Sequence, residues 1–234
     1  MPTTESLSAR IDGLFFGKVT TPWEGRAPSA IAKTALPGKH EINELGFVAD
    51  EQADLRHHGG IEKAIHHYPA DHYKDWMNEG AMPAGTRPAA FGENIATFGI
   101  TEELVCIGDT LRLGSALVQI SQGRQPCWKV NAHTANRTMA ALFQKTGRTG
   151  WYYRVLEPGV VAVGDVIALL ERPQPEWSVK RVTAARLSRR VSQEDAATLS
   201  VMPELAEGWR AAFLKMAGGD RDEDTSARLN GVMD

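Results

Sequence analysis

Between Gly13 and Leu170 the apolar residues come in short runs, nearly every one closed by a glycine, a proline or a Gly-Asp pair before it is long enough to make a helix. Gly13–Val19, Ser29–Thr34, Ala64–Tyr68, Val105–Gly114, Ala116–Ser121, Trp151–Leu156 and the stretch from Val160 to Leu170 read as strands, with Ile95 opening another. Only two stretches in this region carry a helical period. Pro69 opens one, with Tyr73, Trp76 and Met77 on one face and Gly80 at its end; Met139, Ala140, Leu142 and Phe143 mark a second, ended by Gly147. Many strands with few helices between them predict a barrel or a folded-over sheet rather than alternating strand–helix units. Met1 to Asp12 is polar and expected to be loose.

The composition changes at Glu171-Arg172-Pro173-Gln174-Pro175-Glu176, a polar, proline-rich linker. Beyond it Val179–Val182 reads as one more short strand, then Thr183–Arg190, Ser192–Ser200 and Glu204–Met216 as helices, with Gly218-Gly219 as the stop and Asp220 to Asp234 frayed. The chain is thus expected to be mainly β with some α: a barrel domain over 12–172 followed by a small three-helix domain over 179–218. With 234 residues and a formal net charge of −3 it gives no argument for stable nucleic-acid binding. No apolar run approaches a membrane span and the start is unlike a signal peptide, so the expected location is cytoplasmic.

The chemistry concentrates in Gln122-Gly123-Arg124-Gln125-Pro126-Cys127-Trp128-Lys129-Val130-Asn131. A strand stops at Gly123, Pro126 forbids further pairing, and Cys127 follows in a loop between Arg124 and Lys129, cations that favour a thiolate. A buried structural cysteine explains the same residue equally well. Cys106, inside an apolar run, is read as core.

Upstream, His57 and His58 precede Gly59-Gly60, a turn where backbone can approach a ligand closely. His66 and His67 fall on opposite faces of a strand and cannot serve one site, and the histidine spacing does not suit structural zinc. Lys33 becomes an anion ligand if its strand face lines a pocket. Asn94 after Gly92 makes either a turn or an amide partner for a ligand.

Gly59-Gly60 after paired histidines, then Phe91-Gly92-Glu93-Asn94, then Arg124-Gln125-Pro126-Cys127 resemble, in that order, the MOSC-domain superfamily, named for the C-terminal domain of molybdenum cofactor sulfurases. The resemblance covers roughly residues 12 to 218. With Ser29-Ala30-Ile31, the His66-His67-Tyr68-Pro69 lead into a helix and the C-terminal helices, it is closest to a bacterial branch that reduces N-hydroxylated purines such as 6-hydroxylaminopurine. It departs in two turns, where relatives often carry glycine at the position of Ala49 and proline at that of Gly123.

The resemblance implies a MOSC-type β-barrel holding a molybdenum cofactor (molybdopterin), with Cys127 as the catalytic protein ligand to molybdenum. By position, Lys33, Arg124, Lys129 and the Gly59-Gly60 turn are the candidate partners of the phosphate, and His58 is counted with them as cofactor-binding. Asn94, Gln122 and Asn131 are those of the pterin, within a motif that includes Phe91, Gly92 and Glu93. The implied activity is reduction of an N-hydroxylated small molecule to its amine. The chain lacks a Gly-x-Gly-x-x-Gly fingerprint after a strand, so electrons are expected from a separate reductase. The terminal helices suit a docking surface for that donor or a homodimer interface. Two rival readings use the same cysteine: a non-catalytic module that carries cofactor or sulfur, and a cysteine-nucleophile hydrolase with His58 or His133 as base.

Overall fold

The computed structural model describes residues 7–55 and 59–231. Its elements in order are β1 Ser8–Gly17, β2 Lys33–Ala35, β3 Lys39–Asn43, β4 Gly46–Phe47, a 3-10 turn Ile61–Lys63, β5 Ile65–Pro69, α1 Asp71–Asn78, β6 Ile95–Thr97, β7 Thr110–Leu113 and β8 Ala116–Gly123. They continue with α2 Trp128–Thr134, α3 Met139–Thr146, β9 Trp151–Glu157, β10 Gly159–Ala162, β11 Val166–Glu171, α4 Val179–Ser188, α5 Gln193–Ser200, α6 Glu207–Ala217 and α7 Ser226–Asn230.

Seven strands close a barrel in the order β1-β6-β5-β9-β8-β7-β11 and back to β1. Closure depends on the length of β1: residues 8–10 pair with β11, 11–14 with β6, and Phe15–Gly17 with β2. The segment Ser8–Asp12, expected to be loose, is therefore the closing seam. β3, β4 and β10 make a separate three-stranded sheet. All neighbours in the barrel are antiparallel except β5 and β6.

Strand alternation fills the interior with Ile11, Leu14, Ile65, Ile95, Val118, Ile120 and Trp151, all fully buried, and each such side chain contributes on the order of 1.5–3 kcal/mol by leaving water. A second cluster packs α1, α2 and α3 around Tyr68, Trp76, Phe91 and Phe143. The first cluster does not stop at the linker: Trp177, Val179, Val182, Leu199, Trp209 and Phe213 belong to it. Backbone hydrogen bonds cross as well, from Val179 N to Val105 O (2.9 Å) and from Ala206 N to Ser121 O (2.9 Å). The C-terminal helices share the core of the barrel they sit on.

Several local expectations are corrected. Val179–Val182 is not a strand but the first turns of α4, capped by the Ser178 hydroxyl, which accepts from Arg181 N. Ser178, just before it, forms an isolated antiparallel bridge with Cys106, which lies among turns before β7 rather than within a strand. Ala30–Ala32 is irregular: Ser29 makes an isolated bridge with Thr20, and the strand proper is Lys33–Ala35. The segment 221–231 is not frayed: Arg221 donates to Arg189 O and Val191 O, and the segment ends in α7, whose Arg228 donates to Pro126 O.

Candidate functional site

Cys127 is the N-terminal flank of α2, in extended backbone (φ −133°, ψ 169°), and is 7% exposed. The expected loop at a strand end is present as the irregular segment Arg124–Cys127 between β8 and α2, but the thiol it presents is largely buried. It borders two cavities, an inner pocket of about 80 Å³ and an outer groove of about 560 Å³, which share Lys63, Cys127, Lys129 and Tyr152. The groove is large enough for a small-molecule ligand. The thiol therefore stands at the junction between a buried polar pocket and a groove.

The inner pocket gathers Lys33, Gly92, Asn94, Arg124 and Lys129 of the residues expected at the site. Gln122 faces the groove. Gly59 and Gly60 line an adjoining hollow with Gln122 and Gln125, reached through Lys63, rather than the cavities that touch Cys127. His57 and His58 lie outside the described residues.

The roles of several of these residues are structural. Lys33 is buried, with Nζ 2.5 Å from Asp50 Oδ2; burial lowers its pKa and the Asp50 carboxylate opposes that shift. As a counter-charge it is already matched, so Asp50 removes the ground for treating it as a free anion ligand. Asn94 has its amide fully engaged: Oδ1 accepts from His66 N (3.1 Å), and Nδ2 donates to Phe15 O (3.2 Å) and Asp50 Oδ2 (2.8 Å). Asn131 is likewise occupied, donating to Leu229 O (3.2 Å) and accepting from Ala140 N (2.7 Å).

Phe91 and Glu93 are fully buried. Glu93 accepts from the Tyr73 hydroxyl (2.5 Å), Ala89 N (2.7 Å) and Phe91 N (3.1 Å), and burial raises its pKa. It thereby holds a loop in which Ala89 has φ 87° and Gly92 φ 74°. A Cβ at Gly92 would lie 2.7 Å from Ile31 Cγ1, so glycine is required there. The product of this loop is a carbonyl: Phe91 O accepts from Arg124 Nη1 at 2.6 Å, which fixes the guanidinium at the pocket wall. Lys129 is held similarly, Nζ donating to Pro28 O at 2.7 Å.

Sequence reasoning missed four further contributors. His66, left as a strand residue, faces the inner pocket, whereas His67 points into the core between Tyr153 and Thr97. Burial, reinforced by Arg124, pushes the His66 pKa well below the usual value. Its Nε2 meets Thr149 O (3.3 Å), which can only accept, so Nε2 carries the proton and Nδ1 is an acceptor. Tyr152 is opposite His66 in the β5–β9 register and borders both cavities; burial raises its pKa, so its hydroxyl stays protonated. Lys63 sits on both cavities, its pKa lowered by burial. Arg228 reaches the groove from α7. Alternation along Trp151–Glu157 was enough to put Tyr152 on the face away from Trp151 and Tyr153; no local pattern announces Lys63 or Arg228.

His133, a candidate base for a thiol hydrolase, makes no hydrogen bond to Cys127 among the described residues, and burial lowers its pKa. The nucleophile–base pair that such an enzyme needs is not assembled from His133.

Comparison with known proteins gives a consistent result. The MOSC domain matches residues 54–168. The chain is 37% identical over 219 residues to Protein YiiM of Escherichia coli (strain K12), covering 93% of this chain and 97% of that protein. The crystal structure of YiiM from Escherichia coli superposes with a TM-score of 0.78 at 30% identity, covering 95% of this chain and 98% of that one. A protein of Gibberella moniliformis named Reductase is 39% identical over 181 residues, which is 76% of this chain and 32% of the fungal protein. No helix among the described residues is long and apolar enough to cross a membrane.

Proposed function

We propose that this chain, which belongs to the MOSC-domain family, is a molybdenum-cofactor-dependent reductase that converts N-hydroxylated compounds of the 6-hydroxylaminopurine type to amines. The observation that carries the reading is the placing of Cys127: one thiol at the junction of two cavities whose walls bear Lys63, Arg124, Lys129 and Arg228.

The residues suit the group. A dithiolene-bound molybdenum accepts a further soft ligand, and the only thiol on these cavities among the described residues is Cys127. A cofactor phosphate calls for cations and backbone donors, and Lys63, Arg124 and Lys129 are at hand. The amides of Gln122 and Gln125 line the groove and its adjoining hollow and suit the polar edge of a heterocycle. When bound, the cofactor supplies the two-electron chemistry. In balance, R–NHOH takes up two electrons and two protons, its N–O bond breaks, and R–NH₂ and water leave. The electrons come from a separate donor protein.

The chain's own part is to bind, orient and handle protons. Arg124 and Lys129, each anchored on a backbone carbonyl, hold fixed positive charge beside the site. His66, neutral with Nδ1 as acceptor, and Tyr152, protonated, are the proton-handling groups of the inner pocket. Burial of the thiol beneath the groove limits water at the reacting centre.

The test is to purify the protein from a host that makes molybdenum cofactor, measure bound metal, and follow 6-hydroxylaminopurine reduction with a chemical reductant. Turnover that vanishes in Cys127→Ser while the fold and melting temperature hold is the expected result. Bound cofactor without turnover in the wild type would instead favour a carrier. Full turnover per metal in Cys127→Ser would overturn the assignment of the ligand.

A further inference from the structure

We infer that the C-terminal segment ending in α7 is a wall of the Cys127 groove and that Arg228 is a positioning residue for the thiol. Arg228 Nη1 donates to Pro126 O at 2.6 Å, the carbonyl of the peptide that leads into Cys127, and Nη2 donates to Gln144 Oε1 on α3 at 3.0 Å. A peptide is planar, so fixing the Pro126 carbonyl also fixes the plane that carries the Cys127 nitrogen. The guanidinium suits this bridge because its two Nη groups diverge at a set angle; an ammonium has no such fork.

The contact is continuous rather than a single hydrogen bond. Asn131 Nδ2, one turn into α2, donates to Leu229 O (3.2 Å), and a Cβ at Gly231 would lie 3.1 Å from Trp128 Cγ. Ala227 and Arg228 line the groove beside Trp128. At its other end the segment is tied to the C-terminal helices. Glu223 accepts from Arg186 (2.7 Å) and Arg189 (3.1 Å), and Arg221 donates to Arg189 O (2.8 Å) and Val191 O (2.7 Å). The segment therefore runs as a strap from α4 to the irregular segment that presents the thiol. Ala227 and Arg228 line the same groove as Lys63 and Tyr152, so a ligand there meets the strap, which limits how far a substrate extends from the thiol. This last consequence rests on the function proposed above; the placing of the thiol does not.

Amide hydrogen exchange of the full chain, free of cofactor, tests the positioning. In Arg228→Ala, exchange in residues 126–134 should rise several-fold, while the β8 and β9 peptides serve as reference and stay unchanged. Arg228→Lys, which keeps the charge but cannot hold both acceptors, should fall between Ala and wild type. In loaded protein, Arg228→Ala should also lower kcat for 6-hydroxylaminopurine. Unchanged exchange at 126–134 in folded Arg228→Ala, an equal rise in the reference peptides, or wild-type behaviour of Arg228→Lys would each overturn the inference. If Arg228→Ala does not fold, Gln144→Ala, which removes one acceptor, decides by the same exchange comparison. Because that comparison needs no turnover, failure of the proposed reaction in the wild type leaves it standing.

Discussion

Lys33 and Asp50 form a buried ion pair at the inner pocket, each side chain less than a tenth exposed, and Asp50 also accepts from Gly17 N at 2.6 Å and from the Asn94 amide at 2.8 Å. Asp50 thus ties β1, β2 and the loop before β6 together at one point. Replacing Asp50 by alanine would strand the ammonium in a low-dielectric site, a change expected to cost about 3–5 kcal/mol. The double variant Lys33→Met, Asp50→Asn should recover much of the loss, since no uncompensated charge remains. Urea denaturation of the wild type and the two variants measures this; a cost for Asp50→Ala below ~1 kcal/mol would mean that the charge finds water.

His67 gives the fold an acid sensitivity. Burial lowers its pKa to about 3, against an ordinary 6.5. Below pH 6.5 the unfolded chain binds a proton there that the folded chain refuses, so this contribution to stability is complete above pH 6.5 and is lost as pH falls toward 3. The slope is up to ~1.4 kcal/mol per pH unit. His67→Gln should flatten stability between pH 6.5 and 4.5 by about that slope, checked by denaturant titrations at several pH values. An unchanged slope would refute it.

Gly123 couples β8 to α4. A Cβ at this position would lie 1.9 Å from Thr183 Oγ1 and 3.2 Å from Trp209 Cη2. Gly123→Ala should cost about 1–3 kcal/mol by overpacking. Thr183 Oγ1 is buried without a hydrogen-bond partner among the described residues, so Thr183→Ala alone should be close to neutral and should relieve much of the penalty in the double variant. Melting temperatures of the four proteins complete the cycle, and strict additivity would refute the contact.

Cys106 should be unreactive in the folded protein. Burial, with Asp109 beside it, pushes the Cys106 thiol up to about 11. At pH 8 roughly one molecule in a thousand then carries the thiolate. Iodoacetamide should leave Cys106 unmodified in folded protein at pH 8 and modify it after denaturation in urea, as read by peptide mass spectrometry. Since the fold favours the neutral thiol, the associated stability is lost as pH rises from ~9 to ~11.

Ending the chain after Arg172 should cost the fold its cooperativity. The proline-rich stretch suggests a boundary, yet Val182, Leu199, Trp209 and Phe213 complete the apolar cluster of the barrel. A fragment of residues 1–172 should be insoluble or lack a sharp thermal transition. A well-folded fragment would re-establish the division at 172.

Much of this was legible in the sequence because short strands and their stops are local signals. The strands around Ile65, Ile120 and Tyr153, the glycine ends of α1 and α3, and the Ser192 cap of α5 follow from alternation, turn residues and capping. The capping interaction is present, with Ser192 Oγ accepting from Asp195 N at 3.0 Å. The helix α2 escaped because Pro126 and a short polar run mask it, with only Trp128 and Val130 as apolar cues. At the site, residue type marked Cys127 and Arg124, but the partners of Asn94, Asn131 and Glu93 come from segments 9 to 98 residues away or from loop backbone, and no spacing rule encodes them. Lys33 looked available because Asp50, 17 residues on, meets it only after β2 and the turn beyond β4 have folded against each other.

The single parallel pairing of β5 with β6 has a consequence of parity. If every neighbour in a ring of strands ran opposite to the last, the direction would alternate, and a ring of seven would return to its start pointing the wrong way. An odd ring must therefore contain a pair that runs together, and here it is β5 and β6. A hairpin cannot make that join; the chain has to travel back along the barrel before it starts again. The return path is the stretch from Ala70 to Asn94, and it carries α1 and the Phe91–Asn94 loop whose carbonyl anchors Arg124. An odd strand count thus obliges this chain to keep a long excursion beside its thiol, and the architecture of the site is built on that excursion.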